Sequence, residues 1–538
     1  MSDTKNNLPS GWVEAPLGKT VHVNPRWMLR EPADGESVSF VRMAAVEAGS
    51  GRLDASTSRI WKEVKKGYTR FQEGDVLFAK ITPCMENGKT ALALGLLGGR
   101  GAGSTEFHVL RSVDEVRPKF ILYFLLQEAI RREARMKMKG AAGQLRVPPE
   151  FLEELHIPLP PAREQRRIIE EIEKQFTRLE AGVVALKRVQ ANLKRYRAAV
   201  LKAAVEGRLV PTEAELARRE GRSYEPASEL LERLVTQPLL AVSKKAQAGV
   251  PVPRQLLDSK RRNTETLEPD RRDVPQIPSG WELASMDQLT TRITSGSRDW
   301  SQYYNRGNGV FVMAQNVRPG KLDLAFRQAV DPPEGDSSCE RSQIKAGDLL
   351  VTIVGANTGN VCRVPEELPR HYVCQSVALM RPVFPELSRF LEVYFNSEGG
   401  GQRQYKRYIY GAGRPHLSFE QLKTTAVLVP PLAEQTRIVA EVERRLSVID
   451  ELEMQVEADL KRAERLRQAI LKRAFEGKLV PQDPTDEPAS MLLERIRGER
   501  VGVPLVGTRK FRDHNPGTAR AGTRPAPTAR WGPNRSGT

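Results

Sequence analysis

One stretch of this sequence occurs twice, without a gap. Pro160-Pro161-Ala162-Arg163-Glu164-Gln165 opens the first copy, and Glu206-Gly207-Arg208-Leu209-Val210-Pro211 closes it. Pro430-Pro431-Leu432-Ala433-Glu434-Gln435 and Glu476-Gly477-Lys478-Leu479-Val480-Pro481 bound the second. Matched positions differ by 270 in number (438 less 168 for the Ile168/Ile438 pair), and Arg197/Arg467 and Leu201/Leu471 keep the same offset. An ungapped internal duplication means one architectural unit used twice.

Each copy reads as a single long helix. The paired prolines suit a first turn and bar a helix before it. Glu164 and Glu434 put negative charge near the positive end of the helix dipole. Gly207 and Gly477 stand where a left-handed cap is wanted, with proline beyond. Apolar residues at Ile168, Ile172, Phe176, Leu179, Val183 and Leu186 form a narrow stripe that slips by three residues to Val189, Leu193, Tyr196 and Val200. Ile438, Val442, Leu446, Ile449, Val456, Leu466 and Ile470 form the stripe of the second copy. A stripe this narrow is a coiled-coil seam, and the two helices are expected to pack on each other as an antiparallel pair. Each spans about 65 Å at ~1.5 Å per residue.

The repeat reaches beyond the helices. Leu8-Pro-Ser-Gly-Trp12 returns as Ile277-Pro-Ser-Gly-Trp281, Glu73-Gly-Asp-Val-Leu77 as Ala346-Gly-Asp-Leu-Leu350, and Glu225-Pro-Ala-Ser as Glu487-Pro-Ala-Ser. The unit is a globular domain, a long helix and a short helix. The expected division is residues 8–157 (first domain), 158–207 (long helix), 208–276 (short helix and flexible linker), 277–427 (second domain), 428–478 (long helix), 479–500 (short helix) and 501–538 (disordered basic tail). Strands are expected over Val76–Ile81, Lys89–Leu97 and Glu106–Leu110, with Gly98–Thr105 as a glycine-rich connection and Pro118–Lys139 as one helix. In the second domain, strands are expected over Asp348–Val354 and within His371–Arg381, and a helix with a basic, aromatic stretch over Leu387–Tyr410. The fold class is α+β, two mixed α/β domains joined to two long helices.

The formal net charge is +17. Seven cations against Asp513 in the tail supply part of it, and the rest of the chain is still basic, which suits a polyanionic partner. No run is apolar enough to span a membrane, no signal peptide is evident, and the four cysteines form no C-x-x-C pair, so the expected location is the cytoplasm. Catalytic motifs are not evident. Asn87-Gly88-Lys89-Thr90 ends like a phosphate-binding loop but has Pro83 where the first glycine belongs. Asp331-Pro332-Pro333-Glu334 lacks the aromatic ring of an amino-methyltransferase motif, and the histidines and cysteines form no metal or nucleophilic constellation.

What remains is binding chemistry. Arg135-Met-Lys-Met-Lys139 leads into Gly140-Ala-Ala-Gly-Gln144-Leu-Arg146, and Arg403-Gln-Tyr-Lys406-Arg407-Tyr408-Ile-Tyr410 leads into Gly411-Ala-Gly-Arg414. Cations neutralise phosphates, while Arg, Gln and Asn reach base edges. Both domains carry this combination just before the long helix.

These residues resemble the specificity subunit of type I restriction-modification systems. The duplicated helix carries the resemblance, together with Gly74-Asp-Val-Leu-Phe-Ala-Lys-Ile-Thr-Pro-Cys-Met-Glu-Asn-Gly-Lys89, Gly103-Ser-Thr-Glu-Phe-His-Val-Leu110, Gly347-Asp-Leu-Leu-Val-Thr-Ile-Val-Gly355 and Cys374-Gln-Ser-Val-Ala-Leu-Met-Arg381. The resemblance implies two target-recognition domains, each reading one half of a bipartite asymmetric site on double-stranded DNA, with the helices setting the spacer. It implies a non-catalytic chain that binds no cofactor. Two modification subunits would carry S-adenosylmethionine, and restriction subunits would use ATP and Mg. Lys80, Lys89, Arg100, Lys139, Gln144 and Arg146 are expected on one half-site. Asn357, Gln375, Lys406, Arg407, Tyr408 and Arg414 are expected on the other. Arg163, Glu164, Gln165, Glu434 and Gln435 are expected to dock the modification subunits. Two alternatives stay open: a fused methyltransferase or nuclease subunit, and a coiled-coil scaffold that reads no DNA.

Overall fold

The computed structural model describes residues 8–27, 29–113, 115–141, 143–233, 267–296, 299–332, 335, 337–409 and 415–500. Most of the expected linker (234–266), Pro333, Glu334, the loop 410–414 with Arg414, and the tail 501–538 lie outside the described residues. The chain forms two compact units: residues 1–179 with 464–538, and residues 180–463.

In the first unit, Val13–Pro16 pairs antiparallel with His156–Leu159 and so brings the start of the chain to the entrance of the first long helix. A four-stranded antiparallel sheet follows the order Val21–Val23, Phe107–Ser112, Val76–Ala79, Thr90–Leu92. Its residues alternate between two buried faces, as the two-residue period of a strand requires. Val76, Phe78 and Leu110 face a core with Phe120 and Phe124, while Leu77, Phe107 and Val109 face Phe71 and Val41. A second sheet, in the order Ser58–Ile60, Ser37–Val41, Arg100–Gly103, Thr69–Gln72, closes that other side.

Two sequence expectations are corrected here. Arg100–Gly103, read as part of a loop, is a central strand. Its glycines are there for close approach: a Cβ on Gly101 would lie 2.2 Å from the Phe71 ring, and one on Gly103 2.2 Å from the Val41 carbonyl. The helix expected over Pro118–Lys139 is two helices, Pro118–Leu125 and Glu128–Lys137, broken at an extended Gln127. The first is buried for most of its length. The second restarts where the Gln468 side chain accepts the Glu128 N–H at 2.8 Å.

The second unit repeats the plan. Glu282–Ser285 pairs with Ala426–Val429, and a four-stranded sheet runs Thr290–Ser295, Val377–Pro382, Leu349–Thr352, Val361–Arg363. Its second sheet is smaller: Gln328–Val330, Tyr304–Val312, His371–Val373. Helices Leu387–Phe395, Gly401–Ile409 and Phe419–Thr424 follow. Both units carry the same turn, with Gly74 and Gly347 at φ 85°. The aspartate after each glycine is buried and paired bidentately. Asp75 accepts from Arg111 at 2.8 and 2.8 Å, and Asp348 from Arg381 at 2.8 and 2.7 Å.

The long helices run Ala162–Val205 and Leu432–Phe475, 44 residues each. They pack antiparallel within each unit. In the first, Arg467 stacks over the Phe176 ring at 4.1 Å, and Phe475 meets Phe120 with ring centroids 4.8 Å apart. In the second, Leu193 packs with Ile449 and Val456, while Arg197 pairs with Asp450 and with Glu453 at 3.1 Å. The seam differs from the expected stripe. Leu193 and Val200 are buried as expected, but Val189 and Tyr196 are 42% and 48% exposed and Leu466 is 47% exposed, whereas Ala204 and Arg467 are buried. Arg197 and Arg467 occupy seam columns that an apolar count assigns to their neighbours. The long arginine side chains reach a carboxylate pair in one unit and an aromatic face in the other.

Candidate nucleic-acid interface

In the first unit the expected DNA-reading residues divide. Lys80, Lys139, Gln144 and Arg146 come together. Val147 N–H bonds the Lys80 carbonyl at 2.8 Å, and Lys139 and Arg146 exchange backbone hydrogen bonds at 2.9 and 2.8 Å, closing the loop that carries Gln144. The Arg146 guanidinium grips Glu106 through two bonds of 2.9 Å. That contact holds the Glu106 carboxyl below its ordinary pKa. Lys139 and Gln144 are exposed at the loop's surface. The other two stand apart. Lys89 donates its ammonium to the Met43 carbonyl at 2.8 Å, and Arg100 pairs with Glu36 at 2.7 Å on the second sheet. Each therefore has an internal partner.

Two residues that the sequence did not single out hold this cluster. His108 is buried, which pushes its pKa down and keeps the ring neutral. Its Nε2 faces the Val147 carbonyl at 2.8 Å and its Nδ1 faces the Asn24 amide at 3.0 Å. Nε2 then donates, and Nδ1 accepts from Asn24. Asn24 has a left-handed backbone (φ 50°) and accepts the Val109 N–H. Glu106 and His108 alternate across Phe107, a signal visible only once the strand and its facing loop are known.

In the second unit the same position is occupied by different chemistry. Leu417 N–H bonds the Ile353 carbonyl as Val147 bonds Lys80, and His416 bridges Val354 as Arg146 bridges Ile81. Asn357 lies in the adjoining turn, its carbonyl accepting the Asn360 N–H, and Gln375 is exposed at the start of the Val377–Pro382 strand. Lys406 is exposed and bonded to Glu398 at 2.5 Å. Arg407 and Tyr408 need correction as free DNA-facing groups. Asp270 pairs with the Arg407 guanidinium and accepts the Tyr408 hydroxyl at 3.0 Å. Residues around Asp270, expected within a flexible linker, are docked on this domain: Asp270 N–H bonds the Thr424 carbonyl, and Arg272, then Tyr408 and Arg407, hold the Asp270 carboxyl well below the carboxylate range. The reason is charge: the segment brings a carboxylate to the Arg407 guanidinium and the Tyr408 hydroxyl.

The residues expected to dock partner subunits are corrected more fully. Glu164, Gln165, Glu434 and Gln435 are buried, with 2% exposure or less, and Arg163 alone of the five is exposed. Glu164 accepts the Trp12 indole N–H at 3.0 Å, and Glu434 accepts that of Trp281 at 2.8 Å. The two glutamines donate to the Pro160 and Pro430 carbonyls. These repeated polar residues latch each domain's entry strand to its helix start. Burial pushes both glutamate pKa values up. The latches differ, because Glu434 also accepts the buried Glu213 backbone N–H at 2.8 Å with its second oxygen, whereas the exposed Gln482 side chain stands beside Glu164. A carboxylate offers two acceptors, whereas a glutamine offers one and brings a donor. Glu434→Gln is expected to leave one buried N–H unpaired, destabilising the second unit by about 1–3 kcal/mol. Glu164→Gln is expected to cost less. Urea titrations of the two variants check this, and equal losses would count against the two-acceptor account.

A sequence profile described as "Type I restriction modification DNA specificity domain" matches residues 9–185 and 334–462. The chain belongs to this family. It is 27% identical over 504 residues to the type I restriction enzyme EcoAI specificity subunit of Escherichia coli, covering 83% of this chain and 79% of that protein. It is 24% identical over 501 residues to the EcoEI specificity subunit of the same species, covering 84% and 80%. A solved structure from work on "complex assembly and conformational transition of the type I R-M system" covers 88% of this chain and 99% of its own, at 20% identity and a TM-score of 0.59, a likeness of fold. The expected family and the mixed, duplicated fold are thereby established. Among the described residues no helix is long and apolar enough to cross a membrane.

Proposed function

We infer that this chain is the DNA-reading subunit of a type I restriction-modification complex, each domain contacting one half of a bipartite, asymmetric site. One observation carries the reading: two domains share one skeleton and carry unlike tips. The Asp75–Arg111 and Asp348–Arg381 pairs recur, while Lys80 and Arg146 are replaced in place by Ile353 and His416. Two copies of one reader would require a symmetric target, and two unlike readers on one chain require an asymmetric one. The chain itself supplies recognition. Modification subunits bearing S-adenosylmethionine and restriction subunits using ATP are its partners. With Glu164 and Glu434 buried, their docking falls to apolar residues exposed on the long helices, foremost Val184 (67%) and Met454 (66%) with Leu452. The long helices set the number of unread base pairs between half-sites.

The test is genomic. Methylated adenine in a two-part motif is expected in cells carrying this gene and its modification partner, and is expected to vanish when the gene is deleted. Replacing Lys139 and Gln144 by alanine is expected to relax one half of the motif, by about 1–3 kcal/mol per lost base contact, and to leave the other half intact. Loss of discrimination in both halves together would refute the two-reader assignment.

A further inference from the structure

At the edge where the two sheets of the first domain part, a cleft of about 420 Å³ opens beside the loop of Lys139 to Val147. Its floor is Phe107, its wall Trp27, and its rim Asn24, Arg70, Lys80 and Arg111. We propose that this cleft, resting on the DNA-reading role inferred above, receives one unstacked nucleotide of the bound DNA, its base against Trp27 and its phosphate at Lys80.

Three features carry the proposal. First, the wall is fixed in advance: Trp27 stacks on Trp61 with centroids 5.7 Å apart and planes at 29°, Trp61 is fully buried, and the Arg70 guanidinium lies 5.0 Å from the Trp61 ring. A rigid aromatic plane is the platform on which an unpaired base stacks, whatever its identity. Second, the Lys80 ammonium makes no hydrogen bond to a described residue, although its charge is felt by Glu106, whereas Arg70 and Arg111 are engaged by Glu31 and Asp75. Lys80 is thus the cation available to a phosphate. Third, the cleft is joined to the reading loop. The Lys80 backbone bonds both Glu106 and Val147, and Glu106 holds Arg146. DNA held by Lys139 and Gln144 would therefore lie at the mouth of the cleft. Its volume suits one nucleotide, within the range of small-ligand sites.

Extruding a base from a duplex is least unfavourable where the base is already mismatched. The experiment measures binding of the full chain, in its complex with modification subunits, to its methylation-defined duplex and to duplexes carrying one mismatch at each position of the first half-site. Wild type is expected to bind one mismatched duplex about tenfold more tightly than the matched one. Trp27→Ala and Lys80→Ala are expected to abolish that gain, and Trp27→Phe, which keeps a ring of smaller area, to reduce it. Thermal unfolding of each variant separates loss of the cleft from loss of the fold, and Trp27→Phe serves if Trp27→Ala does not fold. A gain that survives in Trp27→Phe and Lys80→Ala unchanged, or no gain at any position, overturns the proposal. Failure of wild type to bind its duplex specifically would overturn instead the reading on which it rests. A nucleoside monophosphate that quenches tryptophan emission in wild type but not in Trp27→Phe, with no mismatch gain, would assign the cleft to free nucleotide and also overturn it.

Discussion

Replacing Arg381 by alanine is expected to destabilise the second unit by about 3–5 kcal/mol, the loss seen when one partner of a buried ion pair is removed. The Asp348 side chain is 1% exposed, and Arg381 is its bidentate partner. Burial already pushes the Asp348 pKa up against the pull of that guanidinium, so a lone carboxylate there would be left without compensation or would have to take a proton. The Arg381 guanidinium also donates to the Gln343 carbonyl at 3.1 Å, which alanine would leave unmet. Hydrogen exchange is the measurement of choice, because it reads the two units separately. Protection of Leu349–Thr352 and Val377–Pro382 should fall, while Val76–Ala79 and Phe107–Ser112 keep theirs. The double change Asp348→Asn with Arg381→Met should recover much of the loss, since it leaves no unpaired charge. A change below about 1 kcal/mol in the single variant would show that the pair is not structural.

Inserting two residues after Gly182 is expected to abolish assembly, whereas inserting four is not. Two residues turn the following helix by about 200°, carrying Leu193, Val200 and Ala204 out of the seam and opening the contact of Leu193 with Ile449 and Val456. Four residues overshoot a full turn by only about 40°, which a coiled coil absorbs as a stutter. The longer variant adds roughly 6 Å to the helix, against ~3.4 Å per base pair of DNA. It should therefore methylate sites whose gap is longer by one or two base pairs, with both half-sites unchanged. Methylation by the reconstituted complex on duplexes of graded gap reads this directly. An unshifted optimum in a properly assembled four-residue variant would mean that the helices do not set the gap.

The long helices were legible in the sequence because their signals are local: proline at the entrance, glycine with φ 67° at Gly207 and Gly477 at the exit, and no proline between. What went astray depended on tertiary partners. Polar residues repeated at the helix starts, Glu164 and Glu434, suggest a docking face, yet each is buried because an indole N–H meets it. Val189 and Tyr196 were placed in the seam for being apolar, yet Arg197 takes that column because Asp450 and Glu453 lie opposite. Gly101 and Gly103 read as a loop, although their lack of side chains is what lets a strand pass between Phe71 and Val41. In the candidate interface, the cationic loop of Lys139 to Arg146 was visible as composition. Its support from His108 and Asn24 was not, since those residues are 84 positions apart. The Asp–Arg pairs had a faint signal: an arginine is the penultimate residue of the strands Phe107–Ser112 and Val377–Pro382, at the same offset as the long helices.

The first unit is discontinuous, and this bears on how the protein is made. Its core around Phe120 and Phe124 is completed by Leu471 and Phe475, which leave the ribosome only after the whole of residues 180–463. Until then the nascent first domain exposes those phenylalanines, while the second unit, a single uninterrupted segment, already has every residue it needs. The domain that begins the chain is thus the last to finish folding. A message truncated anywhere before residue 464 yields a product whose first domain has an open core, a substrate for chaperones and proteases rather than a half-reader of DNA.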